Sequence, residues 1–412
     1  MTDFVVKIED SLKNIAIEYE PVGSDYRALV HQWLHAITTN TPLFAGSRGV
    51  SKQELIKMLS DTGLYKNKSD FMEKLGNTIR IKPPVKPKFS FIDLFAGIGG
   101  MRLGFQEAGG VCVFSSEFEK NAQATYLNNY GELPFGDITK IPEDLIPDHD
   151  VLVAGFPCQP FSHAGLKLGV DDTRGTLFYD IARILEKKRP KAALLENVKG
   201  LISHDKGHTL QVILKTLNSI GYRCNIDKDI IEQGSPKDIQ TAAKNMVLKS
   251  YDFGVPQNRQ RIYLVLWREE LVTQFVYPEP LGIKTRLGDV LEKNPDSKYT
   301  ISDRLWDGHK RRKIENAANG KGFGFGLVNA ESQYTNTISA RYYKDGSEIL
   351  IDQFSKNPRK VTPREAARIQ GFPEEFLTNK SDMQAYKQLG NSVTVPVVRC
   401  VASNMLKQLI EI

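Results

Sequence analysis

The chain has 412 residues, 41% hydrophobic and 25% charged, with a formal net charge of +6. That balance is ordinary for a soluble globular protein and allows two or three domains around a large core. It excludes a bilayer span, because no apolar run approaches the ~20 residues required. The start, Met1-Thr2-Asp3-Phe4, lacks the basic-then-apolar pattern of a secretory leader. The four cysteines, Cys112, Cys158, Cys224 and Cys400, are far apart and form no metal-ligand spacing. Free thiols in a reducing cytoplasm, with no metal, are expected.

Residues 1–81 read as a helical extension. Apolar positions recur at helical spacing in 51–59, and Ser69-Asp70 resembles a cap before Phe71-Met72-Glu73. Residues 82–88, Lys-Pro-Pro-Val-Lys-Pro-Lys, form a linker. From Phe89 to residue 274 the pattern alternates between strand and helix. Strands fit 89–95, 111–115, 151–154, 192–195 and 261–267, with helices at 101–108, 177–187 and 209–220. Such alternation implies an α/β domain with a parallel sheet covered on both faces. A long polar insertion, 230–249, precedes the last strand. Residues 275–361 break the alternation with turns, short strands and the basic run Lys310-Arg311-Arg312-Lys313. Residues 362–412 return to helix, starting at Thr362-Pro363-Arg364-Glu365. Residues 1–88 and 275–361 carry net charges of +3 and +4, so the flanks are basic and the middle is near neutral. That suits a catalytic core with nucleic-acid-facing additions, although a solvated surface also accounts for it.

Four phrases carry chemistry. Asp93-Leu94-Phe95-Ala96-Gly97-Ile98-Gly99-Gly100 is a glycine turn between strand and helix, where the backbone can approach a ligand. Glu117 ends the second strand, where an acid takes a ribose hydroxyl pair, and Asp137 is placed to receive an adenine amino group. The glycine spacing departs from the dinucleotide fingerprint and favours another adenosine ligand. Cys158, in Gly155-Phe156-Pro157-Cys158-Gln159-Pro160-Phe161-Ser162, sits on a stiff loop at a strand's end. It is a nucleophile there, or else a buried, inert thiol. Glu196 terminates the apolar strand 192–195 as a working acid or a cap. Arg259 and Arg261 alternate along a strand and would share one face, gripping phosphate or a carbonyl oxygen, or standing as solvated edge charges.

In this order the phrases resemble the DNA cytosine methyltransferases that modify carbon 5 of the base. The likeness runs from about Phe89 to Val398 and includes Arg364–Pro373 and Gln388–Pro396, and it implies that residues 362–412 return to the catalytic domain to close the cofactor pocket. It implies a Rossmann-like S-adenosylmethionine-dependent methyltransferase fold with a smaller target-recognition domain and an N-terminal helical extension. Cys158 would attack carbon 6 of a flipped cytosine, Glu196 would serve ring nitrogen 3, and Arg261 with Arg259 would hold the base or its backbone. S-adenosylmethionine would lie against Phe95, Gly97, Gly99, Glu117, Asp137, Ile138, Leu177, Asn391 and Val393. Residues 160–175 look like the family's mobile catalytic loop, with Gln159 and Ser162 at the DNA. Residues 275–361 would read the target. Gly322–Gly326 and Thr337–Gly346 resemble methylases of the CC(A/T)GG or CCNGG type, which modify the inner cytosine. Thr337, Arg341 and Lys344 would face base edges, and Lys310, Arg311 and Arg312 phosphates, unless that run is a solvated helix face. The partner implied is double-stranded DNA, with a cognate restriction endonuclease acting on the same site. A monomer in the cytoplasm, associated with the nucleoid, is expected. An RNA cytosine-5 methyltransferase and an inactive DNA-binding regulator are the alternatives.

Overall fold

The computed structural model describes residues 3–47, 49–156, 177–271, 274–322 and 324–411. The chain forms two units. One contains residues 1–247, 261–278 and 399–412, and the other contains 248–260 and 279–398.

The first unit begins with α1 (Asp3–Tyr19), α2 (Tyr26–Thr39), α3 (Lys52–Asp61) and α4 (Lys68–Gly76). Ser51 caps α3 in a reciprocal box with Glu54. The cap of α4 is Asn67, which accepts from the Asp70 N–H, rather than Ser69. The amide oxygen reaches the free N–H groups from two positions before the serine. β1 (Phe89–Leu94), α5 (Gly100–Glu107), β2 (Gly110–Ser116), α6 (Lys120–Tyr130) and β3 (Val151–Gly155) follow. Next come α7 (Leu177–Lys188), β4 (Ala192–Val198), α8 (His208–Ser219) and β5 (Tyr222–Arg223). The polar insertion folds as α9 (Lys228–Gln233) and α10 (Pro236–Ala242), each with a side-chain cap. β6 (Val247–Lys249) and β7 (Gln260–Arg268) complete the seven-stranded sheet, whose main order is β2-β1-β3-β4-β7-β5.

β1 to β4 pair in parallel, with every residue of β2 buried, as βα alternation requires. The sheet is not parallel throughout, as the alternation implied. β7 runs antiparallel to both β4 and β5. This reversal sets the start of β7 beside the end of β4, with Val198 opposite Arg261 and Glu196 opposite Tyr263. The order places β2 and β3 on opposite sides of β1. That is the switch point where open α/β sheets bind ligands at their carboxyl ends.

The second unit holds α11 (Asp303–Ala318) and a small sheet of β8 (Leu327–Val328), β9 (Leu350–Ile351) and β10 (Arg359–Lys360). α11 carries the basic run, for which a solvated helix face is one of the sequence readings. It is mostly polar and buries only His309 fully, while Leu305 and Trp306 in its first turn pack, partly buried, against Ile301, Phe325 and Leu350. α12 (Pro363–Ile369) starts at the capping box of Thr362 and Glu365. Glu365, fully buried, also takes both arms of the Arg359 guanidinium at 2.7 and 2.8 Å. α13 (Asp382–Asn391) follows, and α14 (Val395–Met405) begins the return to the first unit. No helix among the described residues is long and apolar enough to cross a membrane.

Candidate active site

At the carboxyl ends of β1 and β2 lies a cavity of about 270 Å³. Phe95, Ser116, Glu117, Asp137, Ile138 and Leu177 are among its lining residues. Phe95 adopts a left-handed backbone, φ 55°, which is rare for an aromatic residue and is held only where the surroundings enforce it. Both oxygens of Glu117 take backbone donors, from Gly97 N–H and Glu119 N–H at 2.7 Å each. Burial pushes its carboxyl up, against the lowering pull of those N–H groups. Asp137 accepts from Thr139 N–H at 3.1 Å and Thr139 Oγ1 at 2.8 Å, which fixes its carboxylate on the wall. Ser116 Oγ is buried and has no hydrogen-bond partner among the described residues. A polar atom left so in a cavity wall fits a ligand that satisfies it.

The glycines divide the work of the turn. Gly97 (φ 56°) presents its N–H to Glu117, and a side chain there would meet open space. Gly99 (φ 84°) is pressed against the Tyr130 ring, whose hydroxyl donates to the Gly99 carbonyl at 2.6 Å. Neither glycine is in the cavity lining. Ser116, Thr139 and Phe118 were not singled out from the sequence but do line it. Phe118 is 73% exposed, a large ring left in water at a cavity edge. Its place directly after Glu117 is the signal that could have found it.

β3 and β4 build the second part of the site. Gly155 pairs with Glu196 across the ladder. Glu196 is 8% exposed, and its Oε1 lies 3.2 Å from Arg261 Nε. Glu196 and Val198 share one face of β4, so Arg261, opposite Val198, reaches the carboxylate diagonally. Asn197 donates from Nδ2 to the Phe156 carbonyl at 3.0 Å and accepts the Val198 N–H at 2.8 Å. It therefore pins the backbone two residues before Cys158. Cys158, Gln159, Ser162 and the loop 160–175 lie outside the described residues. Of the other cysteines, burial pushes Cys112 up to about 12 and Cys224 up to about 11, and also raises Cys400. Those thiols are poor nucleophiles.

Arg259 precedes β7, which carries Arg261. Arg259, 3% exposed, donates to the carbonyls of Ile338 (3.3 Å), Gly390 (3.2 Å) and Ser392 (2.5 Å). Gln257 Oε1 accepts the Ile338 N–H at 2.9 Å, so both residues hold the base of the 337–346 segment. In that same unit Val393 is buried and Asn391 is exposed. Thr337 donates to the Asn258 carbonyl at 2.8 Å. Tyr342 is buried and donates to the Ile349 carbonyl at 2.6 Å, while Arg341 and Lys344 beside it are exposed. On α11, Lys310 pairs with Asp307 (2.7 Å), Arg311 with Glu315 (3.9 Å) and Arg312 with Asp345 (2.9 Å). The Arg312 pair ties the basic helix to the 337–346 segment.

A family model described as C-5 cytosine-specific DNA methylase matches residues 89–407. The chain is 58% identical to the type II methyltransferase M1.ScrFI of Lactococcus lactis subsp. cremoris, over 78% of this chain and 79% of that protein. It is 60% identical to the type II methyltransferase M.NlaX of Neisseria lactamica, over 77% of this chain and 96% of that protein. Among solved structures it is similar to the S. pombe Dnmt2 methyltransferase. The TM-score is 0.59 at 22% identity, over 78% of this chain and 99% of that one, a likeness of fold.

Proposed function

Because the chain belongs to the C-5 cytosine-specific DNA methylase family, we propose that Cys158 attacks a flipped cytosine between the cavity and the Glu196–Arg261 pair. The enzyme is a type II cytosine-5 DNA methyltransferase and uses S-adenosylmethionine. The observation that carries the site assignment is Glu196. It is a nearly buried carboxylate, ion-paired at 3.2 Å, set beside Gly155 at the root of the cysteine loop.

The cavity fits the cofactor. Glu117 would take the ribose hydroxyls, Asp137 the adenine amino group and Ser116 Oγ a further polar atom, with Phe95, Ile138 and Leu177 as apolar walls. Gly97 and Gly99 shape that wall, and Asn391 and Val393 are assigned to the same ligand. When bound, the sulfonium supplies an electrophilic methyl group. A target cytosine leaves the duplex at a cost of a few kcal/mol. The Cys158 thiolate forms a bond to carbon 6, and charge moves toward ring nitrogen 3. Glu196 meets that charge by donating a proton or hydrogen bond, held in place by Arg261. Carbon 5, now enamine-like, takes the methyl group. Its proton is then lost, the sulfur–carbon bond breaks and aromaticity returns. Asn197 keeps the cysteine loop rooted throughout. Arg259 acts as a positioning residue for the recognition segment.

The target is a CC(A/T)GG or CCNGG site methylated at its inner cytosine, which protects the DNA from a cognate endonuclease. Arg341 and Lys344 read guanine edges near Thr337, while Lys310, Arg311 and Arg312 sit on phosphates, with Gln159 and Ser162 at the flipped base. The protein acts as a monomer on nucleoid DNA in the cytoplasm. Bisulfite sequencing of DNA from cells expressing the chain tests the site. Conversion-resistant cytosines at the second position of CCNGG, with N restricted or free, are expected. Resistance in another context would overturn the assignment.

A further inference from the structure

Residues 1–88 precede everything the family model matches, yet their helices are built into the same unit as the sheet. α2 is buried over the ten residues Ala28–Ile37, as a core helix is rather than an appended one. It lies along β2, the first strand of the sheet order, where Gln32 Nε2 donates to the Val113 carbonyl at 3.3 Å. Phe44 stacks on Phe135 at 4.9 Å, and Phe135 stacks on Phe114 of β2 at the same distance.

These contacts converge on the segment 132–138, which leads into the cofactor cavity. His31 Nδ1 accepts the Leu133 N–H at 2.9 Å, so Nε2 carries the ring proton and donates it to Glu9 Oε1 at 2.8 Å. Both partners are buried. His35 pairs with Glu132 at 2.9 Å, and Glu132 with Arg102 of α5 at 2.5 Å. Ser24 Oγ receives the Gly136 N–H at 3.4 Å. A side chain on Gly136 would stand 2.5 Å from the Gly23 carbonyl, so the two backbones touch directly at a cavity-lining residue. Asp137 and Ile138 come next in the chain, and both are in the lining.

We propose that the N-terminal helical layer is part of the cofactor site, with His31 and the Gly23-Ser24 turn as positioning elements for the segment that presents Asp137 and Ile138. The inference rests on the reading of that cavity as the S-adenosylmethionine site. A bound ligand needs its contacts held to a fraction of an ångström, and side chains behind the wall do that holding.

The test is cofactor affinity measured by titration calorimetry on the full-length chain, with DNA affinity measured alongside. His31→Leu removes both hydrogen bonds. His31→Gln keeps a donor for Glu9, and His31→Asn keeps an acceptor for Leu133. His31→Leu and His31→Gln are expected to raise the Kd for S-adenosylmethionine roughly three- to tenfold, the worth of one hydrogen bond. His31→Asn should restore it to within about twofold, and DNA affinity should not move. Should the leucine variant fail to fold, the glutamine–asparagine contrast decides the matter alone. Asp137→Ala is the control for the site itself. If it raises the Kd while His31→Gln does not, the positioning role is wrong and the cofactor site stands. If His31→Asn is as impaired as His31→Gln, the ring acts only by packing and the proposal is overturned. If Asp137→Ala leaves the Kd unchanged, the cavity reading falls and takes the proposal with it.

Discussion

Glu196 and Asn197 are neighbours with separable duties, and variants at the two positions should fail differently. Glu196→Gln keeps a partner for Arg261 but loses the acidic proton. It should lower the single-turnover rate of methyl transfer by roughly 10²–10⁴, the usual worth of a positioned acid, with cofactor affinity unchanged. An undiminished rate would remove Glu196 from the chemistry. Both residues were legible in the sequence as a phrase because a carboxylate that closes an apolar strand needs a reason to be there. The arginines show what alternation leaves open. Period-two alternation placed Arg259 and Arg261 on one face, but the strand begins at Gln260. Arg259 therefore precedes the strand, and it donates to three carbonyls. A sequence shows alternation, but it does not show the residue at which pairing begins.

Among the elements, β1 carries a group that makes the sheet sensitive to pH. Burial pushes the Asp93 carboxyl up to about 8, against the lowering influence of Arg102. A carboxyl raised in the folded state favours folding fully below its unfolded value near 3.8, and that contribution is lost as pH rises through about 8. The parent is expected to lose urea midpoint between about pH 5 and pH 8, and Asp93→Asn, which cannot ionise, should flatten that fall. Parallel profiles for the two proteins would show that burial does not hold this carboxyl neutral in that range. Local chemistry made several elements readable in advance. Thr362-Pro363-Arg364-Glu365 encodes a capping box and does form one. α11 was legible only as a solvated helix face under the basic run, because one residue, His309, is fully buried and its apolar contacts are confined to Leu305 and Trp306 in the first turn.

For the whole molecule, the chain leaves the first unit and comes back to it. The resemblance implies that residues 362–412 return to the catalytic domain, and the first unit gathers residues 1–247, 261–278 and 399–412. Long-range bonds within that unit explain the return. Lys191 Nζ donates to the Ile410 carbonyl at 2.8 Å, and Asn404 and Gln408 both donate to the Val276 carbonyl. Such pairings depend on which strand inserts where, and neither charge nor periodicity carries that information. The class of chemistry, by contrast, was written in short phrases at strand ends. The central claim is that Cys158 forms a covalent bond to the cytosine it methylates. The most direct measurement incubates the full-length chain and S-adenosylmethionine with a duplex carrying 5-fluorocytosine at the inner position of the target. Fluorine cannot leave carbon 5 as a proton does, so elimination of the enzyme is blocked. The account predicts a denaturation-resistant protein–DNA adduct whose peptide map places the link at Cys158. Methyl transfer without such an adduct, or a link at another residue, would contradict it.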